Sequence, residues 1–306
     1  MAAFLALVGP TASGKTEASL EIAEALGAEI LSIDSMLVYR GMDVGTAKPT
    51  VEQRARVPHH LIDLVEPSEP FSVAAFQAAA REAADDVRRR GLRPLLVGGS
   101  GLYFRAVVDE LEFPGTRPDV REELEDEAEA WGAERMHGRL TDLDPVAAGK
   151  IEPGNVRRTV RALEVAAITG RPFSSYADAW SDYPADRVVV AGVRPAGDEL
   201  ATRVGERVRH MLEAGWLDEV RSLVDRGFGS WLTATQAIGY AELARHLAGE
   251  LELDEAVTLT VRRTKELARR QLAWFRRDPR IRWFNVGEKG ASAAVDRIVA
   301  HLESAG

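Results

Sequence analysis

Residues 9–16 read Gly-Pro-Thr-Ala-Ser-Gly-Lys-Thr, which is the spacing G-x-x-x-x-G-K-[ST]. In such a loop successive backbone N–H groups and the following helix N-terminus converge on phosphate oxygens. Lys15 adds a point charge for the outer phosphate, and the Thr16 hydroxyl can ligate Mg²⁺. Gly9, Pro10, Thr11, Ala12, Ser13, Gly14, Lys15 and Thr16 are therefore candidates for holding a ligand with at least a diphosphate. Two further segments carry groups of the right kind. Asp34-Ser35 follows an apolar run, where a carboxylate can serve as a base, ligate Mg²⁺ or simply cap the next turn. Gly99-Ser100-Gly101 follows another, where paired glycines allow close backbone approach to a ligand or form a tight turn.

These groups need elements to place them. Residues 4–8 form a short apolar run, and Ala18, Leu20, Ile22, Ala23 and Leu26 then recur at helical spacing up to Gly27. Strand, glycine loop and helix are the context the motif requires. Further strands are predicted at 29–33, 60–65 and 94–97, with a helix over 71–90 capped by Ser72 and closed by three arginines that suit its dipole. Alternation of this kind predicts an α/β fold with a parallel, doubly wound sheet. Between 113 and 184 the pattern is helical, over 120–131, 135–140 and 155–169, and a strand resumes at 187–193. The spacing thus predicts a core of 1–112 and 187–306 interrupted by a helical insertion, 113–186. Beyond 200 the chain is predicted mainly helical to 277, then a strand at 280–285 and a last helix. The loop 40–58 is long and polar, as functional loops beside a sheet often are.

Composition narrows the classes. The 306 residues suffice for one or two domains, and 45% hydrophobic with 28% charged residues describes an ordinary globular protein. There are no cysteines. Disulfides, thiolate catalysis and Cys-ligated zinc are excluded, and a reducing cytoplasm is expected. The first apolar run is too short to span a membrane, and no signal peptide or membrane attachment is expected. Net charge is −9, which argues weakly against nucleic acid, but arginines are segregated. Arg262, Arg269 and Arg276, with Arg263, Arg270 and Arg277, recur every seven residues and form a stripe on a helix. Arg280 and Arg282 extend it, and Arg157, Arg158 and Arg161 form a second cluster. The stripe is either a solvated face or a track for phosphodiesters. Trp274 and Trp283 are assigned to the core and His59-His60 to structure. The strand at 95–97 ends in Gly-Gly-Ser, without the Asp that holds Mg²⁺ in many phosphate-loop ATPases, which weakens an ATPase reading. The arginines of the insertion leave a kinase reading open.

Several segments together resemble the tRNA dimethylallyltransferases, also called tRNA isopentenyltransferases. Besides 9–16 they are Asp34-Ser-Met-Leu-Val-Tyr39, Gly41-Met-Asp-Val-Gly-Thr-Ala-Lys-Pro49, Pro58-His-His-Leu-Ile-Asp63 and Val97-Gly-Gly-Ser-Gly-Leu-Tyr103. Arg157-Arg-Thr-Val-Arg-Ala-Leu-Glu164, Gln236-Ala-Ile-Gly-Tyr240 and Ala268-Arg-Arg-Gln271 follow in the family's order, over nearly the whole chain. The resemblance implies a P-loop NTPase-like parallel sheet flanked by helices, with an inserted all-helical subdomain and a helical C-terminal region. It implies transfer of a dimethylallyl group from dimethylallyl diphosphate to N6 of the adenosine immediately 3′ of the anticodon in tRNA, with Mg²⁺ as cofactor. Asp34 matches the catalytic carboxylate, Ser100 stands where threonine is usual, and Arg203 matches a diphosphate-contacting arginine. Contacts to the anticodon stem-loop are implied for Asp34, Ser35, Met36, Leu37, Ser100 and Arg121, for Arg157, Arg158, Thr159, Val160 and Arg161, and for Gln236, Ala237, Ile238, Gly239, Tyr240 and Ala241. Ala241 replaces a usual lysine, and Gly154-Asn155 a usual Asn-Asp. Lacking a zinc finger, the chain resembles the bacterial form, and a monomer is expected. An adenylate isopentenyltransferase acting on free AMP, ADP or ATP, a small-molecule kinase and a non-catalytic RNA-binding module are the competing readings.

Overall fold

The computed structural model describes residues 4–109, 111–176, 182–287 and 290–304, apart from the side chains of residues 197 and 198. The chain divides into two compact units, Met1–Val108 with Pro184–Gly306, and Asp109–Tyr183. The second begins and ends a few residues earlier than the 113–186 expected.

The first unit is built on a six-stranded sheet whose pairings are all parallel, in the order β3-β2-β4-β1-β5-β6. Its strands are β1 Phe4–Val8, β2 Ala28–Ser32, β3 His59–His60, β4 Arg93–Gly98, β5 Val188–Pro195 and β6 Ile281–Val286. β1 is buried at every position and lies between β4 and β5, with Leu5 opposite Leu95 and Val189. Helices and apolar clusters cover both faces, as a parallel sheet requires. Helix α1, Lys15–Leu26, leaves the glycine loop and stops at Gly27 in the left-handed conformation. Helix α2, Val51–Arg56, lies within the long loop and carries a Thr50–Gln53 capping box. Helix α3, Val73–Arg89, has Ser72 as its N-cap, the hydroxyl accepting from Ala75 N at 3.1 Å. Helix α4, Gly101–Val108, follows β4.

One predicted element is much shorter than expected. The strand at 60–65 is reduced to β3, because Leu61 and Asp63 adopt φ of 65° and 54°. Those left-handed residues turn the chain away, and Val65 returns only as a single parallel bridge to Tyr39. His60 Nε2 then lies 2.6 Å from Glu29, and His59 Nδ1 2.7 Å from the Val57 carbonyl.

The second unit holds α5 Pro118–Trp131, α6 Ala133–Leu143, α7 Pro145–Ala148 and α8 Val156–Thr169 around its own apolar cluster. Asn155 caps α8 by accepting from Arg158 N at 3.2 Å. The chain resumes the sheet at β5. It continues through α9 Gly197–Glu213, α10 Trp216–Asp225, α11 Tyr240–Leu247 and α12 Leu253–Phe275 to β6 and α13 Val295–Glu303. No helix among the described residues is long and apolar enough to cross a membrane.

Candidate active site

The phosphate loop joins the carboxyl end of β1 to α1. Gly9 passes so close to β5 that a Cβ there would lie 2.7 Å from Val193 Cγ2 and from its carbonyl oxygen. Gly14 at φ 81° and Ala12 at φ 59° turn the backbone inward, and Ala12 is strained in that conformation because it has a side chain. Lys15 Nζ donates to the Pro10 carbonyl at 2.6 Å and to Ser13 Oγ at 3.3 Å, both within its own loop. Burial pushes the Lys15 ammonium down to about 7, the neighbouring Arg207 adds to that, and Asp34 opposes it. Thr16 opens α1 with its residue exposed.

Arg207, on α9, was not singled out by the sequence. Burial and the proximity of Asp34 dominate its electrostatics, burial holding its pKa below the usual arginine value and Asp34 raising it. It donates no hydrogen bond and joins no ion pair among the described residues. One helical turn earlier Arg203 donates to the Gly287 carbonyl at 2.6 Å. Both arginines, with Ala12 and Gly14, line a cavity of about 940 Å³. The loop 43–54 also lines it, with the apolar Val44, Ala47, Pro49 and Val51 interspersed with Asp43, Lys48 and Arg54. Asp34 and Ser100 do not line this cavity; they approach the phosphate loop from the ends of β2 and β4. Asp34 Oδ1 accepts from Met36 N at 2.9 Å, the turn-capping role, while Oδ2 has no hydrogen bond among the described residues. Ser100 Oγ accepts weakly from Tyr103 N, at 3.5 Å.

The glycines around Ser100 are explained by protein rather than ligand. A Cβ at Gly98 would lie 2.7 Å from Ile33 Cγ1, one at Gly99 would collide with the Gln271 amide, and one at Gly101 with the Trp274 indole. Trp274, assigned to the core from sequence, is 40% exposed, although its indole packs over Gly101. Trp283 is partly buried against the core.

Loop 40–58 is fixed by Glu219, which the sequence did not single out, and by Lys48 within the loop. The Glu219 carboxylate accepts from the amides of Asp43, Val44 and Gly45 and from the Tyr240 hydroxyl, at 2.6–3.2 Å. Lys48 Nζ is buried and donates to the Tyr39 carbonyl at 2.7 Å and to Asp63 at 2.6 Å, and it also pairs with Asp43. Burial raises the Asp63 carboxyl, but Lys48 and Arg54 more than offset it, leaving its pKa below normal. A Cβ at Gly45 would meet Tyr240 at 2.6 Å and overlap the Trp216 indole.

The residues matched to RNA contacts divide by burial. Thr159 and Val160 are buried in the second unit, as are Leu37, Ala237, Gly239 and Tyr240 in the first, so their side chains have no surface to present. Ser35, Met36, Ile238 and Ala241 are half-buried, and Gln236 is exposed. Arg121 and Arg161 converge on Glu164, which is fully buried and also accepts from Arg117 N at 3.1 Å. Burial alone would raise the Glu164 carboxyl; the two guanidinium hydrogen bonds hold it below the usual range. Arg161 donates also to the Pro114 and Gly115 carbonyls. Arg157 and Arg158 are left with no ion pair among the described residues, and both are exposed. On α12 and just beyond it, Arg262, Arg269, Arg270, Arg276 and Arg277 are exposed, and Arg263 is paired with Glu242. Arg280 does not extend that stripe: its side chain is 4% exposed and paired with Asp278 at 2.7 Å.

A parallel sheet with a diphosphate-sized loop at the carboxyl end of β1, two arginines behind it and a carboxylate beside it defines a P-loop-type group transferase. Comparison with known proteins supplies the family. Residues 37–278 match the model described as IPP transferase, and residues 2–60 the model described as isopentenyl transferase. The chain belongs to the IPP transferase family. It is 46% identical over 300 residues to the tRNA dimethylallyltransferase of Desulforudis audaxviator, covering 97% of this chain and 96% of that one. It is 50% identical over 283 residues to that of Streptomyces coelicolor, covering 92% and 90%. Among solved structures, the full-length tRNA isopentenylpyrophosphate transferase of Bacillus halodurans superposes with a TM-score of 0.72 at 40% identity, over 99% of this chain and 96% of that one. A eukaryotic dimethylallyltransferase acting on tRNA shares the fold, with a TM-score of 0.80 at 24% identity and coverage of 97% and 77%.

Proposed function

We propose that the protein transfers the dimethylallyl group of dimethylallyl diphosphate to N6 of the adenosine immediately 3′ of the anticodon in tRNA. The observation that carries this reading is the placement of the Asp34 carboxylate within electrostatic reach of Lys15 and Arg207 at the phosphate loop. A leaving-group site and a proton acceptor adjoin, with no second phosphate acceptor implied. In the step, the allylic C1–O bond breaks and its electron pair leaves on diphosphate. The N6 lone pair forms the new C–N bond, and the N6 proton passes to Asp34. Loop amides, Lys15, Arg203 and Arg207 stabilise charge growing on the diphosphate. Ser100, at the neighbouring strand end, orients the acceptor amine with Asp34. The apolar side chains of Val44, Ala47 and Val51 suit a short hydrocarbon tail.

The residues present fit Mg²⁺. No group of three or more His, Cys, Asp or Glu among the described residues forms a cage of its own, but Mg²⁺ characteristically takes few protein ligands and completes its shell with phosphate oxygens and water. Thr16 supplies the hydroxyl, and the ion would neutralise charge on the departing diphosphate.

The adenosine must leave the stack of the anticodon loop to react. Asp34, Ser35, Met36, Gln236 and Ile238 offer the first unit's accessible contacts, with the α12 stripe for backbone phosphates. Arg157 and Arg158 offer those of the second unit, held in place by Arg121 and Arg161 through Glu164. The chain works as a monomer in the cytoplasm, in keeping with its lack of cysteine. The decisive assay supplies Mg²⁺, labelled dimethylallyl diphosphate and either tRNA or AMP. Label is expected on tRNA; label on AMP alone would replace this reading by the adenylate one.

A further inference from the structure

Gln271 lies on α12, 260 residues from the glycine loop, yet its Oε1 accepts the backbone N–H of Thr11 at 2.8 Å. Among the described residues, this is the side-chain hydrogen bond that reaches a loop amide from outside the loop. The Thr11 donor requires an acceptor, which fixes the amide orientation and turns Nε2 the other way. There it rests against Gly99: a Cβ at that position would collide with Nε2 and lie 3.1 Å from the Gly9 carbonyl oxygen. Gly9 N in turn donates to the Gly98 carbonyl at 3.3 Å. One turn further along the same face, Trp274 covers Gly101. A single planar amide thus sits at the junction of the loop that would hold diphosphate and the turn that carries Ser100.

We propose that Gln271 is a positioning residue that locks the Gly9–Thr16 loop to the Gly99–Gly101 turn, so that the loop meets diphosphate already in its bound shape. This rests on the prenyl-transfer reading only for what the diphosphate belongs to. The loop needs such a lock. Ala12 and Gly14 hold left-handed conformations, and a loop free to relax would have to be reordered whenever diphosphate binds. The lock also removes Thr11 N–H from the ligand's donors, leaving the other loop amides for phosphate oxygens. A helix built this way separates two tasks. Gln271 and Trp274 face the glycine segments, while Arg269, Arg270, Arg276 and Arg277 are exposed.

The test compares Gln271→Met, which keeps volume and removes the acceptor, with Gln271→Asn, whose amide is one methylene too short. Gly99→Ala pushes the amide away from the opposite side. Binding of inorganic diphosphate with Mg²⁺ is measured by calorimetry, and KM and kcat are measured for dimethylallyl diphosphate and tRNA. The expected result is roughly a three- to tenfold weaker affinity for inorganic diphosphate, the range one lost hydrogen bond gives. The KM for dimethylallyl diphosphate should rise by the same factor, the KM for tRNA should hold, and Thr11 amide exchange should quicken. Gly99→Ala should mimic Gln271→Met, and Gly99→Ala with Gln271→Ala should be no worse than either alone, since both act on one contact. Unchanged diphosphate affinity in soluble, folded Gln271→Asn would overturn the proposal. So would a rise confined to the KM for tRNA, which would mark Gln271 as an RNA contact. Wild-type protein that binds diphosphate but prenylates nothing would sink the transfer reading and leave the diphosphate measurement standing.

Discussion

Two loops line the same cavity and treat their charges in opposite ways. In 40–54, Lys48 is closed in by Asp43, Asp63 and the Tyr39 carbonyl, Arg54 by Asp63, and the free amides of 43–45 by Glu219. In 9–16 and the α9 face behind it, Lys15 meets only neutral oxygens of its own loop, and Arg207 has no hydrogen-bonding partner among the described residues. A cation completed by its own protein holds a shape; one left incomplete in a buried setting is poised for an anion brought from outside. Both loops carry glycines and conspicuous lysines, so sequence alone ranks them together.

The largest effect separating the two sites should come from the carboxylate beside the phosphate loop. Asp34→Ala should lower prenyl transfer by roughly 10²–10⁴-fold, the usual worth of a general base, with tRNA binding by filter retention largely intact. Equal loss of binding would make Asp34 structural. Next come the two cations. Lys48→Met should destabilise the fold by about 1–3 kcal/mol in denaturant titration, because it leaves the Tyr39 carbonyl without its donor and Asp63 with Arg54 alone. Arg207→Met should leave stability unchanged or raised and weaken inorganic diphosphate binding by roughly tenfold. If Arg207→Met unfolds the protein instead, the contrast between the loops is wrong. Gly45→Ala forces a methyl group into Trp216 and should cost about 1–3 kcal/mol, with diphosphate affinity per folded molecule preserved.

A pH series sharpens the same comparison. The Lys15 pKa is lowered from 10.5 to about 7 in the fold, so between those values the unfolded chain binds more protons. Its penalty on stability is full below pH 7 and disappears as pH rises toward 10.5. Stability should therefore gain a rising component across that window that Lys15→Met abolishes. Diphosphate favours the charged amine, so affinity for it should fall above pH 7 in the wild type and not in the variant. The smallest effects belong to the surface. Arg157→Ala and Arg158→Ala should change stability by less than about 0.5 kcal/mol, and each should reduce the salt dependence of tRNA binding by about one unit of slope.

Much of this was legible in the residues. The glycine loop with its flanking strand and helix, the Ser72 cap and the resumption of the sheet after a helical stretch rest on local rules, and local rules are written in local sequence. The strand at 60–65 failed because its apolar spacing says nothing of the left-handed turns at Leu61 and Asp63. The glycines at 98–101 announced close approach but not its object, since Ile33, Gln271 and Trp274 reach them from distant parts of the chain. That Arg121 and Arg161 share the buried Glu164 was not legible either, because Arg121 and Glu164 lie far apart in the sequence. Arg207 and Glu219 had no motif to mark them; only a count of partly buried charges against their partners brings them out.

The register of the central strand has a consequence for synthesis. β1 is made first, but one of its two neighbours, β5, begins at Val188, and the Gln271 that braces Thr11 comes later still. Domains generally fold as units while the chain emerges, and pairings between distant segments are slow to close. The helical unit 109–183 has its own core and is complete on the ribosome before the sheet around β1 can be. The first eight residues of the phosphate loop to be translated are thus among the last to acquire their working form, and a chain halted before residue 271 would carry the motif without the site.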